Sequence, residues 1–237
     1  ERLAHLPAGL KAEALAHLES MAEQGVAHGA LLLPHRTARA LKNRRVPAAL
    51  PPALGAANII GWAAYDLLDD IWDGDAPLSR LPAADALARE TVQAYLEVLR
   101  TPRERKFFLD SMHRMDEAAR WELAECRLAI RKGRVIVGQL PNFGTYRTLA
   151  DRSLPHASAA LAVFFRAGLS PNSKESRALS LFFRSYLIAR QLNDDAHDWE
   201  EDLFRGRGNA AGTLLLAAWK KRVVREKDRE ALRRLIW

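Results

Sequence analysis

Ile59-Ile60-Gly61-Trp62-Ala63-Ala64-Tyr65-Asp66-Leu67-Leu68-Asp69-Asp70-Ile71-Trp72-Asp73-Gly74-Asp75 changes character halfway along. Its first turns are apolar, and its last turns carry four aspartates before Gly74. In a helix, positions three and four apart share a face, so Asp66, Asp69, Asp70 and Asp73 form one stripe. Leu67, Leu68, Ile71 and Trp72 fall on the opposite side. A helix C-terminus already carries partial negative charge, and the four carboxylates repel one another as well. A cation must offset that cost. Magnesium suits an all-oxygen donor set and keeps positions open for water or phosphate.

The rest of the chain reads as helical too. Ala, Leu, Arg and Glu dominate, and alternating β-branched runs bounded by turn dipeptides are nearly absent. The pattern predicts helices at 8–25, 30–43, 52–74, 80–100, 103–132, 155–168, 174–205, 209–220 and 222–236. Breaks are expected at Pro34, 47–52, 74–77, 101–102, 141–144 and 168–172. No long Gly/Ser linker or repeat divides the 237 residues, so the expectation is a single all-α domain over 1–237. Several long helices are apolar on most sides, which suggests a bundle with buried central helices. Val46 to Tyr65 lacks a charged residue and is long enough for a bilayer span. Pro47, Pro51, Pro52 and Asn58 interrupt it and the aspartates follow at once, so a buried helix fits better.

A composition of 49% hydrophobic and 27% charged residues excludes a disordered or fibrous chain. The net charge of +7 favours anionic ligands. The one cysteine, Cys126, excludes an internal disulfide and a cysteine metal cluster, and a reducing, cytoplasmic setting is expected. The residues present show no signal-peptide pattern.

A second acidic cluster follows another apolar helical approach: Gln191-Leu192-Asn193-Asp194-Asp195-Ala196-His197-Asp198-Trp199-Glu200-Glu201-Asp202, then Arg205-Gly206-Arg207-Gly208. Asp194, Asp198, Glu201 and Asp202 share a face. Either cluster alone is compatible with a solvated acidic face. Two such clusters facing each other would repel strongly unless metal ions sat between them, so the pair points to a metal and diphosphate site.

These residues resemble the class I isoprenoid synthase superfamily. Asp69-Asp70-Ile71-Trp72-Asp73 matches its DDxxD pattern. Gln191 to Asp198 is similar to the QxxDDxxD motif of head-to-tail prenyl diphosphate synthases. Gln191 to Arg207 resembles the QLxNxxRDxxEDxxRGR motif of squalene and phytoene synthases, with Asp194 in place of Asn and His197 in place of Arg. Asn193-Asp194 with His197 and Glu201 resembles the NDxxSxxxE motif of terpene cyclases, with His in place of Ser. The basic motif that holds isopentenyl diphosphate has only poor counterparts in Leu33-Pro34-His35-Arg36 and Lys42-Asn43-Arg44-Arg45.

The resemblance implies an isoprenoid-synthase-like helical bundle with a central apolar cavity. The implied activity is magnesium-dependent ionisation of an allylic isoprenyl diphosphate. A prenyltransferase of the squalene/phytoene synthase type comes first, with a terpene cyclase or a head-to-tail synthase as alternatives. Its metal ligands would be Asp69, Asp70, Asp73, Asp194, Asp195, Asp198, Glu201 and Asp202, holding three Mg²⁺ ions once substrate is bound. Catalysis would fall to Asp69, Asp70, Asp73, Asp194 and Asp198. Arg190, Gln191, Arg205 and Arg207 would hold diphosphate, with Lys220 and Lys221 as further candidates. Trp62, Tyr65, Phe164, Phe165, Phe182, Phe183 and Tyr186 would line the cavity, where ring faces stabilise a carbocation. Bulk just before the first motif limits product length in the prenyl synthases, so Tyr65 implies a short chain. Expected partners are the isoprenyl diphosphate, a membrane touched peripherally for an apolar product, and a second copy in a homodimer. Nucleic acid is not expected. A basic nucleic-acid-binding protein stands as the distant alternative, permitted by an isoelectric point near 9.8. An inert scaffold is disfavoured by the presence of both motifs.

Overall fold

The structure, a computed structural model, describes residues 2–25, 28–42 and 44–235. It is mostly helical. In chain order it contains α1 (Ala8–Glu23), α2 (His28–Ala40), α3 (Leu50–Asp73), α4 (Leu81–Val98) and α5 (Pro102–Glu125), then strands β1 (Ala129–Arg131) and β2 (Arg134–Ile136). There follow α6 (Arg147–Ser153), α7 (Ser158–Arg166), α8 (Lys174–Phe204), α9 (Ala210–Trp219), β3 (Val223–Val224) and α10 (Arg229–Arg233). Two compact units emerge, one of Glu1–Ser111 with Pro155–Leu181, the other of Met112–Leu154 with Phe182–Trp237. No described helix is long and apolar enough to cross a membrane.

In the first unit α3 is buried on most sides, against α2, α4 and α7. Small residues allow the close approaches. A Cβ on Gly55 would lie 2.7 Å from the Leu31 carbonyl oxygen, and one on Gly61 would lie 2.8 Å from Thr91 Cγ2. Ile60, Ala63, Ala64 and Leu87 pack with Leu3, Ala14 and Met21 of the N-terminal segment, while Leu67 and Ile71 pack on Ala83 and Ala84. Asn58 is buried but satisfied: its amide donates to the Ala30 carbonyl at 3.0 Å and accepts from Tyr95 Oη at 3.3 Å.

That contact also explains a departure from expectation. Pro34 was a predicted break, yet it lies buried inside α2. Proline has no N–H to bond the carbonyl four residues earlier, which is that of Ala30. Asn58 donates to that same carbonyl, so the orphaned acceptor is satisfied and the helix continues.

In the second unit Trp199 and Leu203 of α8 pack with Leu128, Val135, Val137, Leu215, Leu216, Val224 and Leu232. Here the helical expectation over 103–132 is corrected. The helix stops at Glu125, and β1, β2 and β3 form an antiparallel sheet in that order. Ile130 and Val135 are paired across a Lys132-Gly133 turn in which both residues have positive φ, 52° and 66°. Two such residues make the tight connection that matches strand twist. The expected helix over 222–236 is likewise corrected: Val223–Val224 pairs with β2, and the helix is confined to Arg229–Arg233. The short α6 was not expected. The predicted ends at 43 and 236 lie outside the described residues.

Candidate functional site

The first acidic cluster occupies the last two turns of α3. Gly74 ends the helix at φ 79°, and the Asp70 carbonyl accepts the N–H groups of Asp75 and Ala76 at 2.8 and 3.0 Å. Asp66, Asp69, Asp70 and Asp73 are all half-buried. Burial lifts the Asp70 carboxyl above the usual range, helped by the charges of Asp66, Asp69 and Asp75 and opposed by His17. Asp66 Oδ2 lies 3.2 Å from Nε2 of the buried His17 of α1. Arg80 donates to His17 Nδ1 at 3.4 Å and pairs with Glu13 at 3.3 Å. Asp66 therefore belongs to a network reaching α1, whereas Asp69 and Asp73 occupy the adjoining stripe with Trp62 and Tyr65. His156 sits against both rings, at centroid distances of 4.7 Å from Trp62 and 6.4 Å from Tyr65. Sequence reasoning passed over His17 and His156, because nothing local marks a lone histidine as facing an aspartate or a ring pair.

The second cluster divides between two faces of α8. Asp195, Trp199 and Leu203, spaced four apart, form the buried face. Asp195 accepts from Gln191 Nε2 at 2.9 Å and from the Ala210 N–H at 2.8 Å, so it holds the first turn of α9 beside the Asn209 cap. Its carboxyl is raised by burial, against the pull of these hydrogen bonds. Asp202 accepts from Asn209 Nδ2 at 2.8 Å and lies 3.1 Å from Arg207 Nε. Burial raises its carboxyl too. Asp195 and Asp202, expected as metal ligands, thus spend their oxygens on internal structure, and Gln191, expected on diphosphate, is bonded to Asp195.

Asp194, Asp198 and Glu201 remain toward the solvent side. Asp194 lies 3.7 Å from Arg190, and Glu201 lies 2.8 Å from Arg205. His197, which could have faced Glu201, instead bonds the Asn193 carbonyl through Nδ1 at 2.7 Å. The Arg205-Gly206-Arg207-Gly208 segment runs beside 126–128: the Gly206 carbonyl accepts from Leu128 at 2.8 Å, and Gly208 donates to the Cys126 carbonyl at 2.6 Å. Gly206 has φ 80°, and a Cβ there would lie 2.9 Å from the Leu128 oxygen. Lys221 lies over the Trp219 ring at 4.1 Å, and Lys220 ends α9. Cys126 is buried with its thiol pushed up to about 12, an unreactive state.

The expected cavity residues also part company. Phe165 is buried, edge-on to Phe107 at 5.5 Å. Phe164 is half-buried. Phe182 and Tyr186 are exposed and stacked at 6.3 Å, with Phe183 edge-on to Phe182 at 5.4 Å. Among the described residues no three His, Cys, Asp or Glu side chains gather in a preformed metal-holding arrangement. The donors are nonetheless carboxylates alone, the chemistry a hard divalent cation takes. No protein-family model matches the chain, and no curated protein matches it.

Proposed function

We propose that this chain is a magnesium-dependent enzyme of the class I isoprenoid synthase type, ionising an allylic isoprenyl diphosphate, with prenyl transfer of the squalene/phytoene kind as its reaction. The observation that carries the reading is the end of α3. Three aspartates in DDxxD spacing crowd the C-terminus of an apolar helix, and one is already pushed toward its neutral form. A divalent cation relieves both the mutual repulsion and the unfavourable helix end.

On α3, Asp69 and Asp73 would hold magnesium; on α8, Asp194, Asp198 and Glu201 would do so. Bound magnesium would neutralise the diphosphate leaving group as its C–O bond breaks. Arg190 and Arg205 now neutralise Asp194 and Glu201. They would exchange those carboxylates for phosphate oxygens, to which guanidinium binds in a fork. Arg207 is tied to Asp202 and serves chiefly to fix the segment. Trp62 and Tyr65, about two turns and one turn before Asp69 on α3, would present ring faces to the developing cation.

The reading is tested by incubating the protein with farnesyl or geranylgeranyl diphosphate and Mg²⁺, assaying pyrophosphate and identifying the product. Release of pyrophosphate with a coupled product from a single prenyl diphosphate supports it. A requirement for isopentenyl diphosphate would move the assignment to chain elongation, and a cyclised monomer would move it to a terpene cyclase. Absence of turnover across the panel would remove the reading.

A further inference from the structure

We propose that the outer face of the β1-β2-β3 sheet docks on an anionic lipid surface. The ladder pairs Arg131 directly with Arg134, and Arg225 follows β3 in extended backbone (φ −119°, ψ 160°) one position beyond the Val135–Val224 pair. Val135 and Val224 are buried on the inner face. Strand alternation therefore puts Arg131, Arg134 and Arg225 in one row on the outer face, with Ala129, Ile136 and Val223 in the next. Like charges directly opposite across strands are unfavourable, so the fold maintains a row that an external anion would relieve.

Internal anions are scarce here. No Asp or Glu occurs from Cys126 to Ala150 or from Leu203 to Arg225. Glu226 pairs with Arg229, and Asp228 accepts the backbone N–H of Arg225. Arg131, Lys132, Arg134 and Arg225 are exposed, and none forms a side-chain ion pair among the described residues. Elsewhere arginines are commonly paired, as Arg120 is with Glu117, Arg152 with Glu122 and Arg233 with Glu200.

The outer rows carry the aliphatic side chains of Ala129, Ile136 and Val223 and no aromatic ring. A single-stranded nucleic acid calls for rings on which bases stack. Clustered cations beside aliphatic side chains match the headgroup region of an anionic bilayer. This inference rests on the sheet alone and stands or falls apart from the isoprenoid reading.

The test is flotation of the full chain with phosphatidylcholine vesicles, with and without phosphatidylserine, at low and high salt. The wild type should bind only the phosphatidylserine vesicles and release them at high salt. Each arginine near such a surface contributes about fivefold to partitioning, so R131Q/R134Q/R225Q should bind roughly a hundredfold more weakly. Its melting temperature should be no lower than the wild type's, since repulsion has been removed. A control with the same charge change, R36Q/R103Q/K174Q, should retain most of the binding. Equal binding to both vesicle types, no binding to either, unchanged binding by the triple variant or equal loss in the control would overturn the proposal. So would salt-sensitive capture of single-stranded RNA in place of vesicles.

Discussion

Replacing Asp195 by alanine removes two hydrogen bonds at once, from Ala210 N–H and Gln191 Nε2. Ala210 is buried, so its N–H loses a partner without gaining water. A stranded buried donor costs about 1–3 kcal/mol, and losing a carboxylate at the first turn of α9 adds about 0.5–1 kcal/mol. Relief from burying a charged group offsets part of this. The net expectation for Asp195→Ala is a destabilisation of about 2–3 kcal/mol, or about 5–10 °C in melting temperature for a chain of this size. Asp195→Asn should behave differently, because its oxygen accepts from Ala210 while Gln191 flips to accept from the new amide. The pH dependence separates the two further. Burial raises the Asp195 carboxyl, so its contribution to stability is complete below its unfolded pKa and is lost as pH rises through the folded value. Asparagine lacks that loss, so Asp195→Asn should gain on the wild type as pH rises through the carboxylate range. Melting curves across that range check this. An Asp195→Ala variant as stable as the wild type, or an Asp195→Asn variant equally damaged, would refute the structural role given to this residue.

Gly206→Ala should destabilise by about 2 kcal/mol or more, because it combines a positive φ with a Cβ contact on the Leu128 carbonyl, measurable by urea unfolding. Gly55→Ala reverses the usual helical gain of about 1 kcal/mol, since its Cβ meets the Leu31 backbone oxygen at 2.7 Å. A more stable Gly55→Ala protein would contradict the packing of α2 on α3. Glu200→Gln breaks the pairing with Arg229 and Arg233. Those arginines hold the Glu200 carboxyl below its usual range, Arg233 foremost, so its stabilisation is present above the unfolded pKa and lost as pH falls through the folded value. Wild type and Glu200→Gln should therefore differ at neutral pH and converge in acid.

The helical pattern located the long elements well because their cues are local. Gly74 adopts the left-handed conformation that ends α3, and apolar spacing marks the run into α8. The same rule misled where a distant residue intervened, as when Asn58 satisfied the carbonyl freed by Pro34. The β hairpin was legible in Ile130, Lys132-Gly133, Val135 and Ile136, but good helix formers upstream outweighed so short a signal. Both acidic motifs could be found by spacing, yet spacing did not separate Asp194 from Asp195. The apolar partners Trp199 and Leu203, four and eight positions on, carry the cue that Asp195 faces inward. Arg190 and Arg205 could be listed as cations, but their pairing with Asp194 and Glu201 depends on side-chain placement on α8.

Magnesium-dependent pyrophosphate release from an allylic prenyl diphosphate, compared among the wild type, Asp69→Ala, Asp194→Ala and Asp195→Asn, decides whether these aspartates hold catalytic metal. Chelation should abolish turnover, each alanine variant should lose at least about a hundredfold with folding intact, and Asp195→Asn should retain turnover. Wild-type rates in Asp69→Ala or Asp194→Ala, or pyrophosphate release indifferent to magnesium, would contradict it.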